Sequence, residues 1–512
     1  MRAAKRRPAR RARENTETKD KSRPATARVV LPVFEETRRA PAGASLEGAT
    51  AALVDRALQD GAFRGEAGQT LVLFSPAPSS SPPLVLLGLG SEGKLGLEQL
   101  RRAFGSLARR ARREGIARVQ VLLDGPHIAR SFAKMGWKPA AHAVRLAWEI
   151  GSYSFDAYKS PAKEVRRAAV LELRLPRGTP AASEGDRTAQ RIAEAVNYTR
   201  DLTNTPANDL YPEKLAGEAR RLARRLGLRF QMLDERQLRK ERMGCLLGVA
   251  QGSDRAPCLF VIEYPGPRAP RRKVPTLCLV GKAITFDSGG LSIKPAKGME
   301  EMKFDMSGGA AVLGVLHAVA QLKPDVRVVG VVPSAENLIG GSAMRPGDII
   351  RSASGKTIEV LNTDAEGRLI LADALHYAQR YRPDYVLDFA TLTGACLVAL
   401  GTQVSGMVSN DTAFARKVFE AGERSGERVW QLPLYDEFLE ATKSQVADLK
   451  NSAGRNGGAI TAAAFLSQFV GKTPWCHLDV AGTAWTEKEI GGFIPGATGV
   501  GVRLVIELLS TL

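Results

Sequence analysis

From Thr276 to Val480 the chain alternates short apolar runs with longer stretches of helical period, and this alternation restricts the fold more than any other feature. Thr276–Val280, Val326–Val332, Tyr385–Phe389 and His477–Val480 read as strands. Gly308–Leu322, Leu369–Arg380 and Ile460–Val470 read as helices, the first with apolar residues at Val312, Leu313, Val315, Leu316 and Val319. Such a pattern builds a mixed, largely parallel sheet flanked by helices on both faces. In sheets of this kind ligands collect outside the carboxyl ends of the strands.

Upstream the same α/β signal is weaker. Val29–Phe34, Thr70–Phe74, Leu84–Leu89 and Val119–Leu123 are expected strands. Leu97–Arg113 is an expected helix with a basic outer face at Arg101, Arg102, Arg109, Arg110, Arg112 and Arg113. A small N-terminal α/β domain is therefore expected over 29–185, with Pro176–Gly185 as a linker rich in Pro, Gly, Ser and Ala. A larger C-terminal α/β domain is expected over 186–512, entered through a helix at Thr188–Leu202 and a loop ending at 208. Gly88-Leu-Gly-Ser-Glu-Gly-Lys94 nearly matches a phosphate-binding loop, but Leu95 stands where Ser or Thr must hold magnesium, so nucleotide binding there is rejected.

The formal net charge is +19, of which residues 1–28 carry +8. That segment has almost no large apolar residues and is expected to be a disordered basic tail, with an arm for DNA or another polyanion as the alternative. It lacks the apolar core of a secretory signal. No run approaches the roughly 18–20 apolar residues of a membrane span, so a cytoplasmic protein without a membrane partner is expected. Cys245, Cys258, Cys278, Cys396 and Cys476 are scattered in mostly apolar surroundings and fit buried free thiols rather than a disulfide framework.

The chemistry-bearing residues stand at the ends of expected strands or just before expected helices. They are Lys282, Asp287, Lys294, Asp305, Asp364, Glu366 and Arg368. Each has an ordinary reading alone. Thr363-x-x-Glu366 fits a helix capping box, Asp305 fits a cap for the helix near Gly308, and Asp287-Ser-Gly-Gly fits a turn. Together they put four carboxylates and two lysines at one sheet edge. Buried carboxylates so close repel one another unless divalent cations neutralise them. His127, His142, His317, His376 and His477 are isolated, and no His-Glu-x-x-His is present, which excludes the single-zinc protease design. Carboxylate-rich ligation suits Mn, Mg or Zn rather than copper.

Longer segments carry a family resemblance. They include Asn204-Thr-Pro-Ala-Asn208, Gly281–Gly290, Pro346-Gly-Asp348, Asn362-Thr-Asp-Ala-Glu-Gly-Arg-Leu369, Asp388–Gly394, Trp475–Gly482 and Gly496–Gly501. Through them the chain resembles the leucyl (cytosol) aminopeptidase family of dinuclear metallopeptidases. The resemblance implies hydrolytic release of an N-terminal residue, preferentially leucine or another apolar one, from peptides with a free N-terminus. It implies two divalent ions per subunit, Mn or Zn. Asp287, Asp364 and Glu366 would hold one ion, and Lys282, Asp287, Asp305 and Glu366 the other. It further implies Lys294 and Arg368 as catalytic residues, a bicarbonate held by Arg368, and a homohexamer. The family includes bacterial members with a DNA-binding second role, and the basic tail with the Arg-rich helices at 101–113 and 220–225 keeps DNA open as a partner. A metal-dependent phosphoesterase is disfavoured by the lysine ligand and the Gly-Arg ending of the octapeptide.

Overall fold

The computed structural model describes residues 27–41, 46, 48–74, 82–160, 168–267, 274–489 and 493–512. The expected disordered tail, except Ala27 and Arg28, lies outside them.

The chain folds as two α/β domains. In the first, a five-stranded sheet runs β2-β3-β1-β4-β5. Its strands are β1 (Ala27–Val33), β2 (Thr70–Leu73), β3 (Leu84–Gly88), β4 (Arg118–Leu122) and β5 (Val170–Arg174). Only β2 is antiparallel to its neighbour. Helix α1 (Gly48–Gln59) packs on one face, and α2 (Leu97–Arg113), α3 (Pro126–Met135) and α4 (Trp137–Gly151) on the other. Strand β1 begins at Ala27, two residues before the expected start, and β5 was not anticipated.

The near-match to a phosphate loop closes on an internal anion. Ser91 Oγ and the Glu92 N–H both donate to the Glu36 carboxylate, at 2.7 and 3.1 Å. The basic face of α2 is also largely engaged within the molecule. Arg109 pairs with Glu489, Arg110 with Glu114, Arg112 with Asp156, and Arg102 with Glu98.

Helix α5 runs from Pro180 to Asn204 and connects the domains. The expected linker is corrected here. Pro180 occupies the first turn, where its missing N–H costs nothing, and Pro180–Gly185 are already helical. A boundary after residue 185 thus falls inside a helix.

The second domain holds a nine-stranded sheet ordered β15-β14-β17-β13-β8-β10-β7-β6, with β9 also on β10. It is flanked by helices α6 (Pro212–Leu226), α7 (Glu235–Lys240), α8 (Gly244–Ala250), α9 (Ser307–Leu322) and α10 (Gly367–Ala378). The strands are β6 (Arg229–Leu233), β7 (Cys258–Tyr264), β8 (Thr276–Gly281), β9 (Ala283–Asp287) and β10 (Arg327–Asn337). A side hairpin is formed by β11 (Ile349–Arg351) and β12 (Thr357–Glu359). The main sheet continues with β13 (Tyr385–Ala390), β14 (Ser405–Ser409) and β15 (Val429–Gln431). Strand β16 (Leu449–Lys450) joins β12, and β17 (Trp475–Asp479) completes the set.

Successive residues of β8 and β10 point to opposite faces. Leu277, Leu279, Val328 and Val332 enter one core with α6, α9, the helix Thr412–Ser425 and the C-terminal helix Val502–Leu509. Cys278, Val280, Val329 and Val331 enter the other with α8, α10 and the helix Gly458–Ser467. All five cysteines are buried and free. Among the described residues, no helix is long and apolar enough to cross a membrane.

Candidate metal centre

Strands β8, β9, β10, β13 and β17 run parallel, so their carboxyl ends share one edge of the sheet. Both β8 and β9 pair with β10 in one continuous register, Val280 opposite Val331 and Ala283 opposite Ser334. They form in effect a single strand interrupted at Lys282. At that break the Lys282 N–H donates to Phe389 O and its carbonyl accepts from Gly309 N, at 3.0 and 2.7 Å. The register then shifts between Ala335 and Asn337, opposite Asp287. Such a bulge re-aims the side chains beside it.

Three connections bring in the remaining groups. The turn after β9 uses Gly289 and Gly290 at φ +86° and +63°, a region that suits glycine, and carries the chain to Lys294. A short 3₁₀ segment, Met299–Met306, delivers Asp305 ahead of α9. The loop before α10 delivers Asp364 and Glu366. Gly367 follows for a steric reason: a Cβ there would lie 2.6 Å from Lys282 Cε.

The structure brings six of the seven sequence-selected residues into one cluster of ion pairs. Lys282 Nζ lies 2.7 Å from Asp305 Oδ2 and 2.8 Å from Glu366 Oε1, and donates to Thr391 O. Lys294 Nζ lies 2.9 Å from Asp287 Oδ2 and also pairs with Asp364. Asp287, Asp364 and Glu366 each offer an oxygen, all within 4.8 Å of one another. Lys282, Asp287, Asp305 and Glu366 are at most 4% exposed.

Burial raises the carboxyls of Asp305, Glu366 and Asp364 above their ordinary range. For Lys282, burial opposes the ammonium, but Asp305, Glu366 and Asp287 outweigh it and hold the pKa above the usual value. Lys294 follows the same logic with Asp287, Glu366 and Asp364. The lysines are thus the cations that the crowded carboxylates require.

Arg368, the seventh, stands in the first turn of α10. Its Nη1 donates to Asn451 O at 2.7 Å, while the buried Nε has no hydrogen-bond partner. Burial lowers it to about 10, still a cation near neutrality.

Two of the ordinary readings fail. The Thr363 hydroxyl donates to Gly289 O at 2.6 Å and accepts from Ser292 N, so it ties the octapeptide to the β9 turn instead of capping α10. Asp305 does not cap α9; it accepts from Thr391 Oγ1 at 2.6 Å. The third survives in part, since Gly289 N donates to Asp287 Oδ1.

Sequence reasoning missed three supporting residues, Asn337, Asn451 and Thr391, and gave Thr363 a different role. Asn337 donates to both Asp287 Oδ1 and Thr363 O. Asn451 orients Arg368, Thr391 holds Asp305, and Thr363 holds the turn. Thr363 and Thr391 lie inside segments already singled out, whereas Asn337 and Asn451 lie in none.

The donor set fits divalent cations. It is rich in carboxylate, buried, and includes a Glu366 oxygen, Oε2, with no hydrogen-bond partner. None of the five histidines joins it; His477 instead pairs with Asp388 at 2.6 Å.

Comparison with known proteins agrees with this geometry. The family model described as "Cytosol aminopeptidase family, catalytic domain" matches residues 197–506, and that of the family's N-terminal domain matches residues 30–162. The chain belongs to the cytosol aminopeptidase family. A probable cytosol aminopeptidase of Roseiflexus castenholzii is 46% identical over 89% of this chain and 92% of its own. A cytosol aminopeptidase of Pseudomonas aeruginosa is 43% identical over 94% of this chain and 96% of its own. Among solved structures, a bottromycin maturation enzyme, BotP, in complex with Mn superposes with a TM-score of 0.82 at 32% identity, covering 95% of this chain and 99% of that one. As a cytosol aminopeptidase family member the protein is a metallo-aminopeptidase, a hydrolase of peptides.

Proposed function

We propose that the protein is a two-metal aminopeptidase of the leucine type. The observation that carries this reading is the convergence of Asp287, Asp364 and Glu366 within 4.8 Å, the first and last buried and Asp364 half-buried, with Lys282 and Asp305 beside them. Asp287, Asp364 and Glu366 would hold one ion; Lys282, Asp287, Asp305 and Glu366 would hold the other, so Asp287 and Glu366 would serve both. Lys282 would bind as the neutral amine, the ion taking the place of its positive charge. Bound there, a pair of divalent ions supplies Lewis acidity and lowers the pKa of water to the point where it is a nucleophile near neutrality.

The chain's own groups do the rest. Lys294 keeps its proton and meets the negative charge that develops on the scissile carbonyl oxygen. Arg368 presents a fixed guanidinium with an unpartnered Nε, suited to a planar anion. We assign it to hold a bicarbonate, which would supply a general base beside the scissile bond. Manganese or zinc is the proposed metal; the ligand chemistry and the manganese bound to the BotP neighbour support this. The preference for leucine or another apolar first residue, the homohexamer and the cytoplasmic setting rest on likeness to the family.

The test is hydrolysis of leucine p-nitroanilide with and without manganese, beside metal analysis. We expect two ions per chain, release of nitroaniline that chelation abolishes and metal restores, and no cleavage of N-blocked peptides. Turnover that survives exhaustive chelation, or equal cleavage of blocked and free peptides, defeats the reading.

A further inference from the structure

A half-enclosed cavity of about 150 Å³ lies between the two domains, and none of the seven site residues lines it. Helices α2 and α4 supply Glu98, Arg101, Leu146 and Ile150, and the second domain supplies Phe493 and Arg503. Arg101 is deeply set, its side chain 12% exposed. Its Nη2 donates to Arg424 O at 2.9 Å and its Nη1 lies 3.6 Å from Glu98, while its buried Nε has no hydrogen-bond partner. Burial and the neighbouring Arg503 both disfavour its charge.

The acids nearby do not offset this. Glu427 pairs with Arg503, and its second oxygen accepts from Gly501 N and Leu504 N at the start of the C-terminal helix. Glu98 divides between Arg101 and Arg102. Arg101, Arg428 and Arg503 line the cavity against only two carboxylates, Glu98 and Glu427, and an added anion offsets that excess of positive charge. The whole cavity is sized for a small molecule, since a volume of about 150 Å³ accepts a benzene ring.

We propose that this cavity is a binding site for a small amphipathic carboxylate. Its anionic group meets Arg101, and a branched or aromatic body packs on Leu146, Ile150 and Phe493. The site is independent of the peptidase assignment.

The test uses full-length, manganese-loaded protein and 4-methylpentanoate in titration calorimetry, with 4-methylpentan-1-ol as the uncharged control. The acid is expected to bind with Kd near about 1 mM and the alcohol roughly tenfold more weakly. R101M, which removes the guanidinium, and A147F, which enlarges a side chain that also lines the cavity, are each expected to weaken the acid by roughly tenfold or more. Neither substitution touches the carboxylate cluster, so kcat/KM on leucine p-nitroanilide without the acid stays unchanged. A147F also keeps the test independent of how well the Arg101 variant folds. Equal binding of acid and alcohol, or no binding of either, overturns the proposal. So does binding that survives both cavity variants but is lost in E366A, which would place the acid at the metal centre.

Discussion

Lys282 and Lys294 share one cluster yet differ in accessibility, their side chains being 3% and 21% exposed. The buried lysine is wedged between Asp305 and Glu366, and the more open one faces Asp287 and Asp364 from the rim. Their substitutions should separate accordingly. Lys294→Ala is expected to lower kcat by roughly 10²–10³, the usual cost of one lost donor to developing charge, with metal content near normal. Lys282→Ala should instead lower metal occupancy. Metal analysis beside steady-state kinetics checks this, and equal metal loss in both variants refutes the division. Asp287→Ala and Glu366→Ala should each weaken both ions and abolish turnover, because each side chain is expected to bridge. A fully metallated, active Asp287→Ala protein contradicts that assignment.

At the scale of elements, helix crossings are set by residues without side chains. Gly314 of α9 lies against α5, where a Cβ would meet Thr199 Oγ1 at 2.0 Å and Val502 Cγ2 at 2.8 Å. Helix propensity alone favours alanine over glycine by about 1 kcal/mol. Overpacking a buried contact costs about 1–3 kcal/mol, and here the Thr199 hydroxyl is also committed to Ala195 O and Ala310 O. Gly314→Ala is therefore expected to destabilise the protein, read as a lower midpoint in urea. An unchanged or raised midpoint would show that α5 and α9 can part without loss. The same logic explains the break at Lys282: Gly281 and Gly308 let α9 approach the strand end, since a Cβ on Gly281 would lie 2.4 Å from Gly308 O.

For the whole molecule, His142 and His317 contribute to the response to acid, whereas at His477 burial is outweighed by Asp388 and the shift is upward. Burial lowers His142 and His317 to about 4, with Arg101 adding to the effect at His142 and Arg225 at His317. His127 and His376 shift the same way. Above about pH 6.5 neither state holds these protons. As the pH falls from there towards 4, the unfolded chain takes up protons that the folded chain refuses, so stability is lost in that window, by at most about 1.4 kcal/mol per pH unit and group. The double variant His142→Gln, His317→Gln should show a smaller drop in melting temperature between pH 7 and pH 5 than the parent; an identical drop counts against the argument. Deletion of residues 1–26 is a second test at this scale. Every candidate site residue lies between 282 and 368, so peptidase activity is expected to be unchanged. If the segment contacts DNA, its removal should flatten the salt dependence of duplex binding. Equal slopes for the two proteins exclude that contact.

The strand–helix alternation from Thr276 to Val480 was readable because each element carries its own period, and period follows from local geometry alone. The Asn362–Leu369 octapeptide and the lysines and aspartates around it were readable because charged residues beside apolar strand ends are chemically conspicuous. Other features were settled only when distant segments met. The full length of β10, which continues past Val332 to Asn337, depends on pairing with β9. That Thr363 ties a turn instead of capping a helix depends on Gly289, far away in the chain. Asn337 and Asn451 look like ordinary polar residues until folding places one against Asp287 and the other against Arg368. The interdomain cavity belongs to the same class, since Arg101 and Arg503 come from opposite ends of the chain. A hydrogen bond or a cavity is a property of pairs of positions in space, and local sequence carries period and composition but not those pairings.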